Sequence, residues 1–357
     1  MKRILFVDDD SKILDGLRRS LRALRFEWEM EFAVGAPAAI AILLRKQFDI
    51  IVTDMRMPDM SGADLLAEVA HRYPQMIRII LSGTWNEDLR MQAVMTAHQY
   101  LSKPCDPETL RSTIGRAFAL REVRLQPAIK EQLMRIGSLP SAPLVYQEFA
   151  LALRSPDISA RAIGAIVAKD PAMTAKVLQL VNSAFFGVCR RTANPVEAVV
   201  YLGVDVMRAL AQSASIFSTF DGAQSTRSLI AALQEHSMSV AMKAGAVARA
   251  MNASKLILDD AIVAGLLHDL GKVVLAVHFP SEYDRVLATA SATDPEQLDA
   301  ERSVFETTHA EVGGYLLWLW GVPDSIVEAL TFHHGPAQSG AQDFSPLAAV
   351  RAAEVSD

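Results

Sequence analysis

Two groups of side chains in this 357-residue chain have the types and spacing to do chemistry. The first is acidic, with one lysine. Asp8 and Asp9 follow the apolar run "RILFV" (3–7), Asp54 closes "DIIVTD" (49–54), Ser82 closes "IRIILS" (77–82) and Lys103 closes "QYLSK" (99–103). Three carboxylates brought to one edge repel each other, and an oxygen-seeking divalent cation such as Mg2+ relieves that repulsion. Lys103 adds a mobile point charge suited to a phosphoryl group. A carboxylate so neutralised can take phosphate as an acyl phosphate. The second group is made of histidines: six of the chain's eight lie at 236, 268, 278, 309, 333 and 334, and Asp269 follows His268 within "AGLLHDLGK" (264–272). His236 is in helical phase with Val240, Ala244, Val247 and Met251, and His309 with Val312, Leu316 and Trp320. His333 and His334 follow Ile326 and Leu330 in the same way. These imidazoles point inward from separate helices. Buried, they need partners, and His and Asp converging from several helices suit a metal within a bundle. His278 falls outside the pattern and reads as structural. Lys272 reads either as a phosphate contact or as a solvated cation at a helix end.

The elements that must position the first group are short apolar runs alternating with helical patterns. The strands end in the residues just named. Between them "SKILDGLRRSLRAL" (11–24), "PAAIAILLRK" (37–46) and "GADLLAEVAHRY" (62–73) read as helices. Such alternation implies a doubly wound, five-stranded parallel sheet with helices on both faces, whose ligands sit beyond the carboxyl ends of the strands. Pro104 after Lys103 makes a cis peptide bond an expectation there.

On "VDDD", "DMRMPDMSG", "LSG" and "YLSKP" the first third of the chain resembles the receiver domain of response regulators, a flavodoxin-like fold. The resemblance implies that Asp54 is the phospho-acceptor. It implies that Asp8, Asp9, Asp54 and the backbone carbonyl of Arg56 hold Mg2+. It also implies that Ser82 and Tyr100 form a switch pair and that Lys103 meets the phosphoryl group. A histidine kinase is the implied phosphodonor.

From about residue 137 strand-like alternation gives way to helices. "DPAMTAKVLQLVNSAFFG" (170–187) opens with Asp170 as a cap and Pro171 in the first turn, and carries an apolar stripe of Met173, Val177, Leu180 and Val181. Within "NSAFFG", Asn182 and Ser183 read as helix-end residues and Phe185 and Phe186 as packing, with a ligand contact the lesser alternative. The domains are therefore expected at 1–121 (receiver), 122–136 (helical linker) and 137–357 (all-α). The linker would relay the receiver's state, serve in dimerisation or act as a spacer.

"HDLGK", with an upstream His and a later "HH", resembles the HD superfamily of metal-dependent phosphohydrolases. "LPSAP", "DPAMTAKVLQLVNSAFFG" and "AVVYLGVDVMRAL" narrow the resemblance to HDOD, the HD-related output domain. That family implies an all-α regulatory module in bacterial signalling proteins, without established hydrolase activity. The candidate metal ligands are His236, His268, Asp269, His309, His333, His334 and Glu354, for a divalent transition metal. Glu354 stands where active HD enzymes usually offer Asp, and "HHG" (333–335) is not followed by the "GYP" of cyclic-di-GMP phosphodiesterases.

Composition narrows the function classes. Net charge is −6 with no basic tract, which argues against direct DNA binding. The longest apolar runs are shorter than a bilayer needs. "MKRILFVDDD" reaches acids too soon for a secretory leader. Cys105 and Cys189 make no disulfide framework. A cytoplasmic protein is the reading. The leading expectation is a two-component response regulator whose HDOD domain signals by contact with a downstream protein, with a homodimer as a further partner. The alternatives are a receiver-gated, metal-dependent phosphodiesterase acting on a cyclic dinucleotide or other nucleotide, and a nucleotide sensor without turnover.

Overall fold

The computed structural model describes residues 2–83, 96–122, 125–155, 157–182, 192–212, 218–219, 223–289, 294–335 and 344–355. They divide into two compact units, Met1–Gly137 and, further on, Ser138–Asn182 with Val188–Asp357.

In the first unit β1 (Lys2–Asp8), β2 (Trp28–Val34), β3 (Ile50–Thr53), β4 (Ile77–Ser82) and β5 (Gln99–Ser102) pair in parallel in the order β2-β1-β3-β4-β5. This is the doubly wound order whose switch point falls at the ends of β1 and β3. The inner strands are buried on both faces, so Ile4, Leu5, Phe6, Ile50, Ile51, Ile79 and Ile80 form a continuous apolar layer. β2, which no run named above had placed, is an edge strand. Trp28, Met30 and Phe32 alternate there with Glu29 and Glu31, the period of a half-covered surface.

Helices α1 (Ser11–Ser20), α2 (Ala36–Leu43) and α3 (Gly62–Arg72) start at caps that the sequence supplies. Asp10 accepts from the Lys12 N–H, and Ser61 forms a capping box with Asp64. Gly62 is required: a Cβ there would stand 2.0 Å from the Asp54 carbonyl oxygen. Next come α4 (Pro107–Glu122) and α5 (Pro127–Leu133). The segment 122–136, expected as a helical linker, falls within the first unit. Arg78 on β4 is buried, and its guanidinium donates to the carbonyls of Thr96 (2.7 Å), Met76 (3.3 Å) and Met134 (2.8 Å), the last just after α5.

The second unit is helical among its described residues, apart from the short pair β6 (Pro140–Ser141) and β7 (Ser218–Thr219). Its helices are α6 (Pro143–Leu153), α7 (Ala160–Val167), α8 (Pro171–Asn182), α9 (Pro195–Leu202), α10 (Val204–Gln212), α11 (Gln224–Ala250) and α12 (Lys255–Leu267). They continue as α13 (Leu270–His278), α14 (Pro280–Thr289), α15 (Asp294–Phe305), α16 (His309–Leu319), α17 (Asp324–Phe332) and α18 (Pro346–Glu354). Two of these helices are set off from their predecessors by residues in the left-handed region. Gly203, at φ +83°, separates α9 from α10, and Glu306 at φ +55° with the Thr308 cap separates α15 from α16. α8 is buried all round instead of along one stripe, and carries Lys176 inside with it. Lys176 donates to Gln179 (2.9 Å) and lies 5.7 Å from the Trp320 ring centroid; burial pulls its amine down to about 7. Lys255–His278 is long and apolar enough to cross a membrane, which the short runs read above had hidden, but most of it is buried in this unit.

Candidate functional site

The carboxyl ends of β1, β3 and β5 converge. Asp8 and Asp54 are both buried, and the Lys103 ammonium bridges them, 2.6 Å from Asp8 Oδ2 and in direct contact with Asp54 Oδ1. The other Asp54 oxygen accepts the Arg56 N–H at 2.6 Å, and Asp8 Oδ1 accepts the Asp10 N–H at 3.0 Å. Burial raises the Asp54 carboxyl above the usual carboxylate range, against the pull of Lys103. Asp9 follows Asp8 and is exposed. The Lys103–Pro104 peptide is cis. Tyr100 is buried, with its hydroxyl on the Ala97 carbonyl at 3.3 Å. The side chain of Ser82 lies outside the described residues.

The second cluster assembles from six helices. His236 lies midway along α11, His268 and Asp269 fill the break between α12 and α13, His309 opens α16, His333 and His334 follow α17, and Glu354 ends α18. The α11–α12, α11–α18, α13–α16 and α17–α18 packings hold these segments together. Two of those packings need glycine. A Cβ on Gly265 would meet the Ala241 backbone at 2.9 Å, and one on Gly271 would stand 1.9 Å from the His309 carbonyl oxygen.

Asp269 is the hub. Its Oδ1 is 3.2 Å from His309 Nε2; its Oδ2 is 3.4 Å from His268 Nε2, 3.8 Å from His236 Nε2 and 2.8 Å from the Lys272 ammonium. Glu354 Oε1 reaches His268 Nε2 at 3.4 Å and His333 Nε2 at 3.8 Å, and His334 Nε2 lies 3.2 Å from His309 Nε2. All seven expected ligands are thus brought together, with Lys272 among them as a buried side chain and not a solvated one. His278 is not in the group. Asn182, the described part of "NSAFFG", exchanges two 2.8 Å hydrogen bonds with the Thr192 backbone, a structural role; 183–187 lie outside the described residues.

The donor set fits a divalent transition metal. His268 Nδ1 is hydrogen-bonded to the Gly265 carbonyl (2.7 Å) and His333 Nδ1 to that of Leu330 (2.6 Å). That leaves each Nε2 facing the interior, and His268 Nε2, His333 Nε2 and Asp269 Oδ1 are buried without a hydrogen bond. Buried polar atoms left so are costly unless something else binds them. Ligand atoms of Asp269, His309, His333 and His334 lie within 4.8 Å of one another, as do those of His236, His268 and Asp269, so Asp269 is common to two sets. Burial disfavours all the charges here. His268 and Lys272 nevertheless hold Asp269 far below the usual carboxylate range, and burial with three neighbouring imidazoles drives His333 far down.

Sequence comparison identifies both domains. Residues 4–115 match the response regulator receiver domain and residues 139–336 the HDOD domain. The chain belongs to the HDOD family and carries a response-regulator receiver domain at its amino-terminal end. An uncharacterized protein of Treponema pallidum is 28% identical over 241 residues, 66% of this chain and 46% of that protein. The hydrogenase transcriptional regulatory protein HoxA of Cupriavidus necator is 35% identical over 116 residues, 32% of this chain and 23% of that one. The chain therefore spans less than half the length of these relatives. The crystal structure of the MmoQ response regulator of Methylococcus capsulatus superposes with a TM-score of 0.52 at 26% identity, over 61% of this chain and 85% of that one.

Proposed function

We propose that this protein is a phosphorylation-controlled response regulator in which Asp54 accepts a phosphoryl group from a histidine kinase. The Lys103 ammonium, held between Asp8 and Asp54, carries this reading. It offsets the repulsion of two buried acids and stands where a phosphoryl group on Asp54 would place negative charge. Asp8, Asp9, Asp54 and the Arg56 carbonyl would hold Mg2+ beside it. Phosphorylation changes local charge and acceptor count, and Ser82 with Tyr100 would pass that change on. Output runs to a downstream protein through the HDOD domain, and the protein works in the cytoplasm. Labelling by a small acyl phosphate with Mg2+ tests this: wild type should be labelled and Asp54→Asn should not. Equal labelling of the two refutes it.

The HDOD domain, on this reading, holds a divalent transition-metal pair shared through Asp269, with His309, His333 and His334 on one side and His236, His268 and Glu354 on the other. Such a pair would supply Lewis acidity toward a phosphate ester and water. The Lys272 ammonium at 2.8 Å from Asp269 favours a second reading, phosphodiester hydrolysis, because it sets a cation for phosphate beside the donor set. Elemental analysis with turnover assays on cyclic dinucleotides separates the cases. Metal with turnover lost in His268→Ala supports hydrolysis, and metal without turnover supports a binding or contact role.

A further inference from the structure

Glu301 carries no obvious signal in the sequence. It lies in α15, a polar helix of the pattern "DPEQLDAERSVF", where a glutamate would ordinarily be solvated. In the structure it is completely buried. Both its oxygens face the ring of His309: Oε1 and Oε2 lie 2.9 and 2.8 Å from Nδ1, and Oε2 also accepts the His309 N–H at 2.7 Å. The carboxylate is held in turn from behind. Gln297 donates to Oε1 at 3.2 Å and lies 3.3 Å from the Tyr283 hydroxyl.

We infer that Glu301 is a positioning residue for metal binding at His309: it fixes the ring and commits the Nδ1 proton to itself, leaving Nε2 as the ligand atom. The inference rests on the metal-holding reading of the cluster. The other two buried imidazoles lean on neutral backbone carbonyls, those of Gly265 and Leu330. His309 alone among these three is backed by a charge. A carboxylate behind a ligating imidazole fixes its tautomer and raises its basicity. The strongest single donor of the set is therefore His309, and the Asp269–His309–His334 side should fill first.

Cobalt(II) is the probe. The full-length protein, stripped with a chelator, is titrated with Co2+ and followed by its visible ligand-field bands and by equilibrium dialysis. Glu301→Gln keeps an acceptor for Nδ1 but loses the charge; it should weaken the first Co2+ about 10-fold and shift its bands. Glu301→Ala should weaken it by about 100-fold. Glu311→Gln is the control, because Glu311 caps the same helix through Thr308 without touching the ring. It should lower thermal stability and leave Co2+ affinity as in wild type. Should Glu301→Ala fail to fold, Glu301→Gln with its spectrum decides. Wild-type Co2+ affinity and bands in Glu301→Gln overturn the inference, as does an equal loss in Glu311→Gln. Wild-type protein that takes up no Co2+ overturns the metal reading itself, and this inference with it.

Discussion

His309 Nε2 lies 3.2 Å from Asp269 Oδ1, across the seam where α13 meets α16. A close backbone contact accompanies this approach. Gly271, two residues after Asp269, packs directly on the His309 carbonyl.

That contact predicts a severe effect for a small change. Gly271→Ala would put a methyl group 1.9 Å from a backbone oxygen that cannot rotate away. The helices must separate, at a cost of about 1–3 kcal/mol or more. Chemical denaturation should show that loss, and Co2+ uptake should fall with it. Gly16→Ala, inside α1 with nothing near its Cβ position, is the comparison and should leave stability unchanged or slightly raised. Equal stability of Gly271→Ala and wild type would contradict the packing described.

Mg2+ should stabilise the first unit. Asp54 is raised by burial, with Asp8 adding to it against Lys103, so at neutral pH its ionisation works against folding. The sign follows: a folded carboxyl raised above its unfolded value makes stability fall as pH rises through that interval. A cation bound only by the folded state reverses this by mass action. Melting temperature should therefore climb with Mg2+ at pH 7 and climb less at pH 5. Asp9→Asn and Asp54→Asn should blunt the response, and an unchanged response in both would remove Mg2+ from this site.

Asp170 gives the second unit an unusual pH dependence. It is fully buried, and its carboxylate accepts the Ala142 and Met173 N–H groups at 2.8 Å each. Burial outweighs those bonds and raises it to about 6. The unfolded group releases its proton near 4 and the folded one near 6, so the contribution of Asp170 to stability should be greatest below about pH 4 and decline up to about pH 6. Denaturation of wild type and Asp170→Asn across pH 4–7 checks this. The difference between them should change in that window and be flat above it; a gap that widens in Asp170's favour as pH rises would contradict it.

Arg78 should hold residues 127–136 to the receiver. Its guanidinium satisfies the Met134 carbonyl after α5 and lies 2.8 Å from His98 Nε2. Burial draws its own charge affinity down to about 10. Arg78→Met removes this donor from the carbonyls of Thr96 and Met134, at about 0.5–1.5 kcal/mol for each hydrogen bond lost. Limited proteolysis should then cut between 125 and 137 faster than in wild type. Unchanged cutting would show that the segment is held by apolar contacts such as Ile129 and Leu133 alone.

The sequence by itself determined the strand ends and the phase of the ligand helices. Asp8, Asp54 and Lys103 could be placed because a parallel strand buried on both faces is a run of apolar residues whose end is visible locally. His309 and His333 could be assigned an inward face because helical period is local too, and the same period assigns one to His236 although its side chain stays 39% exposed. Which inward faces meet was decided only by tertiary packing. Glycine contacts too close for any side chain, at Gly265 and Gly271, bring α11, α12, α13 and α16 together. That packing drew Lys272 inside, set Glu354 against His268, and buried Glu301 behind His309 although its own helix looks solvent-facing. A charge enters such an interior only with a partner: Lys272 finds Asp269 at the start of its own helix, but the partners of Glu301 and Glu354 come from other helices, so no local pattern announces them.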